Sequence, residues 1–475
     1  MQDKKFEPSP RETWRITKNV VVIGLAFMMQ FTAYCGASNL QSSINAEDGL
    51  GTASLAAVYA GLIFSNLFLP VFVIKWIGPK WAISLSFITY MPWIASQMYP
   101  KFYTMIPAAL ILGLGGGPLW CSKCTYLAIV SEAYSQITKI PVSALLTRFL
   151  GIFFMIFQLN QIWGNLISSL VITSGDNEAA VTLVNASLIP EICGANFLPS
   201  ADSKEAIQHQ PIEKIQMISG IYLACMACAA LIVAVGVDSL KRYESVREKS
   251  GANVSGFALM AVTLRLLGEP HQIMIVLINI FVGYEQAFFG SDFTAAFVSC
   301  AVGTGSVGFV MLAFGVADAL GCMLSGYLAK LTGRVPLVTI GAVVQSILFI
   351  TLLTWRPQAN SLTVLYAVAV LWGLCDSIWM VQINAFSGCL FPGREEASFS
   401  NFRLWESVGY IIAYVISPHL RTSTKTYLMF GGMILGLALY YAVEYRQSRE
   451  RKLKEEKVEK MQAVGHVNTA FQIAE

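Results

Sequence analysis

The residues of this chain best able to do chemistry are ionisable groups set inside long apolar runs. Lys123, Glu285, Asp318, Asp376 and Glu406 each lie within such a run, Arg148 opens another, and Arg403 opens the run that holds Glu406. A charge in hydrocarbon is costly to hold, so it normally faces a cavity or a partner and marks a functional candidate. Arg403 and Glu406 are three residues apart, hence on one helical face near the inner surface, where they can pair. Lys123, Glu285, Asp318 and Asp376 are expected to cluster within the membrane, with Asn160, Gln382 and Asn384 supplying neutral hydrogen bonds. Two roles stay open for such a cluster: an ion, solute or proton site, or a fixed network that sets helix register. Asp292 is expected at an outer mouth.

Other chemistries find little support. Four histidines are scattered, and no nucleophile–base pair emerges, so enzyme activity is not expected. Gly113-Leu-Gly115-Gly116-Gly117 has the glycine density of a phosphate loop but lacks its preceding strand and following lysine. Close helix approach is the better reading there, and at Gly432 and Gly436. Cys121-x-x-Cys124 has metal-like spacing without a second pair or a histidine, so neither a metal nor a cofactor is expected. Most of the ten cysteines lie in apolar runs as small buried hydrophobes. Cys193 and Cys300 are placed to face an oxidising compartment, where a bridge between them is the hypothesis to test.

The elements that must position these groups follow from composition. The 475 residues are 55% hydrophobic and only 13% charged, against about 25% charged in an ordinary soluble domain. Apolar runs recur at roughly 19–41, 54–74, 81–98, 103–130, 144–173, 215–237, 271–290, 304–329, 335–354, 362–391, 399–417 and 426–444. Backbone amides in lipid must be paired within their own segment, and continuous apolarity excludes alternating barrel strands. The runs are therefore helices, and the chain is an all-α polytopic membrane protein of about twelve spans.

Lysine and arginine set the expected orientation. With the N-terminus inside, 23 of them fall on that face of the spans and 6 on the other, which places both termini in the cytoplasm. The organisation is then a cytoplasmic N-terminus over 1–18, without signal-peptide character, and a six-helix half over 19–237 containing an outside loop at 174–214. A central cytoplasmic loop over 238–270, a second half over 271–444 and a cytoplasmic tail over 445–475 follow. Asn185-Ala186-Ser187 in the outside loop is expected to carry a glycan, and Asn253-Val254-Ser255 in the central loop to stay bare. Phe257, Met260, Ala261, Leu264 and Leu267 repeat at helical spacing in that loop. Trp76, Trp81, Tyr99, Tyr103, Trp355 and Tyr427 are placed as interfacial anchors.

A faint internal repeat links the halves. Lys75-Trp-Ile-Gly78-Pro79-Lys80 follows the second run; Gly326-Tyr-Leu-Ala-Lys330-Leu-Thr-Gly333-Arg334 follows the eighth. Gly78 and Gly333 are 255 residues apart, as are Arg148 and Arg403. Parallel six-span repeats are the pattern of the major facilitator superfamily, and these glycine–basic loops resemble its signature between spans two and three. The superfamily motif places an aspartate of the inner gate where this chain has Lys75 and Lys330. The resemblance therefore does not imply ordinary alternating access.

A narrower resemblance rests on Leu119-Trp120-Cys121-Ser122-Lys123-Cys124-Thr125-Tyr126-Leu127, Trp163-Gly164-Asn165-Leu166-Ile167-Ser168-Ser169, Leu371-Trp372-Gly373 leading into Asp376, and Asn401-Phe402-Arg403-Leu404-Trp405-Glu406. With Phe31-Thr32-Ala33-Tyr34 and Leu40-Gln41-Ser42-Ser43, these segments resemble the Unc-93 (uncoordinated-93) family, nearer its A-type branch. The resemblance implies a twelve-helix major facilitator fold in two six-helix halves. It implies no single activity: the founding nematode member is a regulatory subunit of a two-pore potassium channel, and the vertebrate B-type protein escorts toll-like receptors between compartments. A regulatory or trafficking subunit of another membrane protein, such as a potassium channel, is the expected function. A secondary transporter of a small solute is the alternative. The expected partners are the bilayer and a channel or receptor, with no nucleic acid, and the plasma membrane is favoured over endosomes.

Overall fold

A computed structural model describes residues 10–45, 47–140, 142–174, 188–199, 210–243, 261, 264–359, 362–391 and 395–473. Asn185, Asn253 and most of the central loop lie outside them.

The first half contains α1 (Pro10–Ser38), α2 (Leu50–Ser96), α3 (Phe102–Thr138), α4 (Val142–Phe157), α5 (Leu159–Thr173) and α6 (Ile212–Gly236). The second contains α7 (Pro270–Ala287), α8 (Val307–Thr332), α9 (Arg334–Thr354), α10 (Leu362–Ile378), α11 (Glu395–Ile416) and α12 (Thr422–Ile473). Two of these labels hide the span count: α2 crosses twice, and α4 with α5 form one crossing interrupted near Gln158. Among the described residues ten helices are long and apolar enough to span a membrane. Residues 79–96, which are short, and α11, which carries Arg403 and Glu406, complete the twelve.

Gly78 divides α2. Its φ of +78° with ψ of 161° is a conformation that side-chain-bearing residues rarely adopt, and Pro79 then opens the next helix. Gly333 does the same between α8 and α9. Elsewhere the missing side chain serves contact. A Cβ on Gly113 would stand 2.2 Å from the Val58 carbonyl, so α2 and α3 pack backbone to backbone. Gly436 lies close against Ile278 as expected of a small residue, whereas Gly432 has nothing near it.

The halves meet where α2 packs on α11 and α5 on α8. Their two ends differ. At the end where α1 finishes, α7 continues as a π-helical segment, Phe288–Ser299, beneath the short helix Gln41–Ile44. Ser42 lies 3.3 Å from the Thr294 hydroxyl, Ser43 2.8 Å from that of Ser299, and Ser169 donates to the Gly305 carbonyl at 3.0 Å. Residues 188–199 cover this end: Cys193 is disulfide-bonded to Cys300, and Thr422 N–H donates to the Phe197 carbonyl. At the end where α1 begins, the described ion pairs stay within one half each. Arg15 grips Asp238 at 2.7 Å in the first, and Arg334 grips Glu444 at 2.7 Å in the second. Among the described residues the bundle is closed at one end and parted at the other.

Candidate functional site

Between the halves lies a cavity of about 2650 Å³, reaching from Tyr34, Asn39 and Tyr414 to Gly78, Ser239 and Tyr243 at the parted end. Lys123, Asp318, Asp376, Asn384, Arg403 and Glu406 all line it, as do Lys75, Gly78 and Lys80 at its rim. Residues far apart in sequence are thus brought to one aqueous space.

The carboxyl groups gather on the second half. Glu285, fully buried in α7, accepts a 2.6 Å hydrogen bond from Trp372 Nε1 of α10. One turn beyond Trp372, Asp376 accepts from Gln286 Nε2 at 2.8 Å, and Tyr410 of α11 donates to the other end of that amide. The Tyr410 ring stacks on Tyr59 from α2, centroids 4.1 Å apart. Glu285, Asp376 and Asp318 stand close enough to feel one another's charge. Gly373 makes this possible, since a Cβ there would strike the Phe314 carbonyl and hold α8 away from α10. Gln382 turns instead to Ser325, and Asn160 to the Phe157 carbonyl.

Lys123 stands apart from the three carboxyl groups. Its ammonium lies 5.2 Å from the centre of the Trp120 ring, 4.7 Å from Phe153 and 4.8 Å from Phe154. Rings at that range attract a cation through their quadrupoles without neutralising it. Arg403 pairs with Glu406 at 2.7 Å, its guanidinium half exposed to the cavity while Glu406 is buried. The second carboxylate oxygen of Glu406, Oε1, has no hydrogen-bond partner among the described residues. Arg148 is exposed and does not line the cavity. Lys80 lies over Trp81 at 5.3 Å, Arg334 over Phe386 at 4.4 Å, and Gly326 has open space around it.

The sequence leads one to expect Asp292 at a water-filled outer mouth. It is buried instead, ion-paired with fully buried Lys425 and accepting from Ser417 at 2.7 Å. The π-helical segment shifts the register of α7 and turns Asp292 into the bundle. Gln286, Tyr410 and Tyr59, which orient Asp376, carry no sequence signal, because uncharged groups in apolar runs give none until their helices are packed.

At its parted end the rim carries the first glycine–basic loop, and Trp120, Cys121, Lys123, Asp376, Arg403 and Glu406 line the cavity. Residues 41–441 match the family described as "Ion channel regulatory protein UNC-93". The chain belongs to the Unc-93 family. It is 37% identical over 434 residues to "Protein unc-93 homolog A" of Bos taurus, covering 91% of this chain and 94% of that protein. It is 31% identical over 437 residues to "Putative potassium channel regulatory protein unc-93" of Caenorhabditis elegans, covering 90% of this chain and 61% of that one. Solved structures of similar fold include a mutant form of the nucleoside transporter NupG, at a TM-score of 0.60 and 11% identity over 89% of this chain and 99% of that one. A sulfate complex of the peptide transporter POT is similar at a TM-score of 0.61 and 10% identity, over 91% and 95%. At such identities the likeness bears on the fold, a major facilitator bundle in an Unc-93 chain.

Proposed function

We propose that this Unc-93 protein is a non-enzymatic accessory subunit or escort of another membrane protein, with a potassium channel as partner, in the plasma membrane and with both termini cytoplasmic. The observation that carries the reading is the family match across residues 41–441, together with a nematode relative whose name describes potassium channel regulation. The loop residues support it. Lys75 lies at the cavity rim, in a loop that resembles the one where the superfamily's transporters place a gate aspartate, and a lysine cannot accept the hydrogen bonds an inner gate needs. The distribution of lysine and arginine supports the orientation. Co-expression with two-pore-domain potassium channels tests the function: altered current or surface level with co-purification is expected. Unchanged current and surface level with no co-purification would sink the reading.

A second reading, secondary transport of a small solute, is favoured by the water-accessible cavity and its ionisable walls. It requires uptake in reconstituted vesicles that Asp376→Asn abolishes.

A further inference from the structure

The cavity wall carries a lysine on one half and two aspartic acids on the other that make no ion pair with one another among the described residues. Lys123, on α3, is only 3% exposed, yet among the described residues its ammonium has no carboxylate or hydrogen-bond acceptor, only the faces of three rings. Asp318 and Asp376, on α8 and α10, are 9% and 5% exposed and have amide, thiol and carboxyl neighbours but no described cation partner. Arg403 is committed to Glu406. Buried charges are normally paired, because the surrounding protein replaces the water that would solvate them. A lysine and acidic groups without an ion-pair partner in a cavity wall therefore favour a ligand that brings a counter-charge to each. The wall between them is aromatic, with Trp120, Phe157, Phe289 and Phe314 among its residues, which suits an apolar body.

We propose that this cavity binds a small zwitterion with an apolar body, its anionic end on Lys123 and its cationic end on Asp376 and Asp318. The Lys123 ammonium lies among one ring of its own helix and two of α4, while Gln286, itself held by Tyr410, donates to one oxygen of Asp376, whose carboxyl group also neighbours Glu285. The ligand would touch both halves at once and so favour whichever arrangement of them brings its two charges to both sites. Binding here stands independently of channel partnership, so either can fail alone.

The test uses the full chain in lipid nanodiscs and three probes: phenylalanyl-alanine, its N-acetyl form and its C-terminal amide. The free dipeptide is expected to bind at least tenfold more tightly than either blocked form. Lys123→Gln is expected to weaken the free dipeptide at least tenfold and to bring it level with the amide. Asp376→Asn is expected to bring it level with the acetyl form, and Lys123→Arg, which keeps the charge, to retain binding. Thermal melts of each variant separate a lost site from a lost fold. Binding of none of the three probes, equal binding of all three, or a Lys123→Gln effect that ignores which end is blocked overturns the assignment.

Discussion

Gly78 and Gly333, 255 residues apart, hold the same backbone conformation, with φ and ψ of +78° and 161° in one and +84° and 170° in the other. Neither has a neighbour that a Cβ would strike, so space is not the reason for glycine. The reason is the dihedral itself, which a Cβ makes unfavourable by roughly 1–3 kcal/mol. Gly78→Ala and Gly333→Ala should each lower thermal stability by that order, and by similar amounts. A thermal melt of the detergent-purified protein checks this, and a variant that melts with the parent protein would contradict it.

The buried pair of Asp292 and Lys425 makes a stronger prediction. Removing one partner leaves the other charged among Ser417 and apolar helices, a situation that costs about 3–5 kcal/mol. Asp292→Asn and Lys425→Met should each reduce folded yield sharply. The double variant should recover much of the loss, because no uncompensated charge remains. Fluorescence-detected size exclusion reads the folded fraction; single and double variants of equal yield would show that the pair does not act as a unit.

Trp372 donates its indole N–H to the buried Glu285 carboxyl group. Phenylalanine in its place keeps the stacking on Phe288 and Phe289 but removes the donor. Trp372→Phe should therefore destabilise by about 1–3 kcal/mol. The loss should be smaller in a Glu285→Gln background, where a neutral amide replaces the carboxyl acceptor. An equal loss in both backgrounds would assign the cost to packing instead.

How much of this is legible in sequence depends on whether one segment suffices to decide it. Helices are legible because hydrocarbon leaves an unpaired backbone no alternative. The Arg403–Glu406 pair is legible because three residues fix a helical face, and the glycine loops because few residues adopt that dihedral. Glu285 with Trp372, 87 residues away, and Asp292 with Lys425, 133 away, are not. Those depend on interhelical register, and the π-helical stretch in α7 moves that register by an amount no apolar pattern records. The aromatic surround of Lys123 likewise needs α4 laid beside α3 before Phe153 and Phe154 reach it.

Asp238, just beyond α6, gives a pH dependence of definite sign. The hydrogen bond from Arg15, helped by Asn19 and Lys18, holds its acidity at about 2, below the ordinary 3.8. A carboxylate depressed by folding contributes stability that is complete above its unfolded value and fades as pH falls toward its folded one. The contribution should therefore be present above about pH 4 and lost between about pH 4 and 2. The pair is partly solvated, so about 1 kcal/mol is expected after screening. Asp238→Asn should remove that part of the acid dependence, and a variant whose acid profile superimposes on that of the parent would exclude it.

Sidedness is open to a chemical test that needs no partner or ligand. Glycosyl transfer to asparagine occurs only on the compartment side from which the outer face derives, and it requires the acceptor to clear the membrane. Asn185 follows the end of α5 by about a dozen residues, on the face away from most lysines and arginines. Asn253, between α6 and α7, falls on the opposite face in that orientation. Glycosidase treatment should sharpen and speed the parent band; Asn185→Gln should abolish that shift and Asn253→Gln leave it intact. A shift that depends on Asn253 would invert the bundle, placing the disulfide-closed end in the cytoplasm and the mouth of the cavity outside.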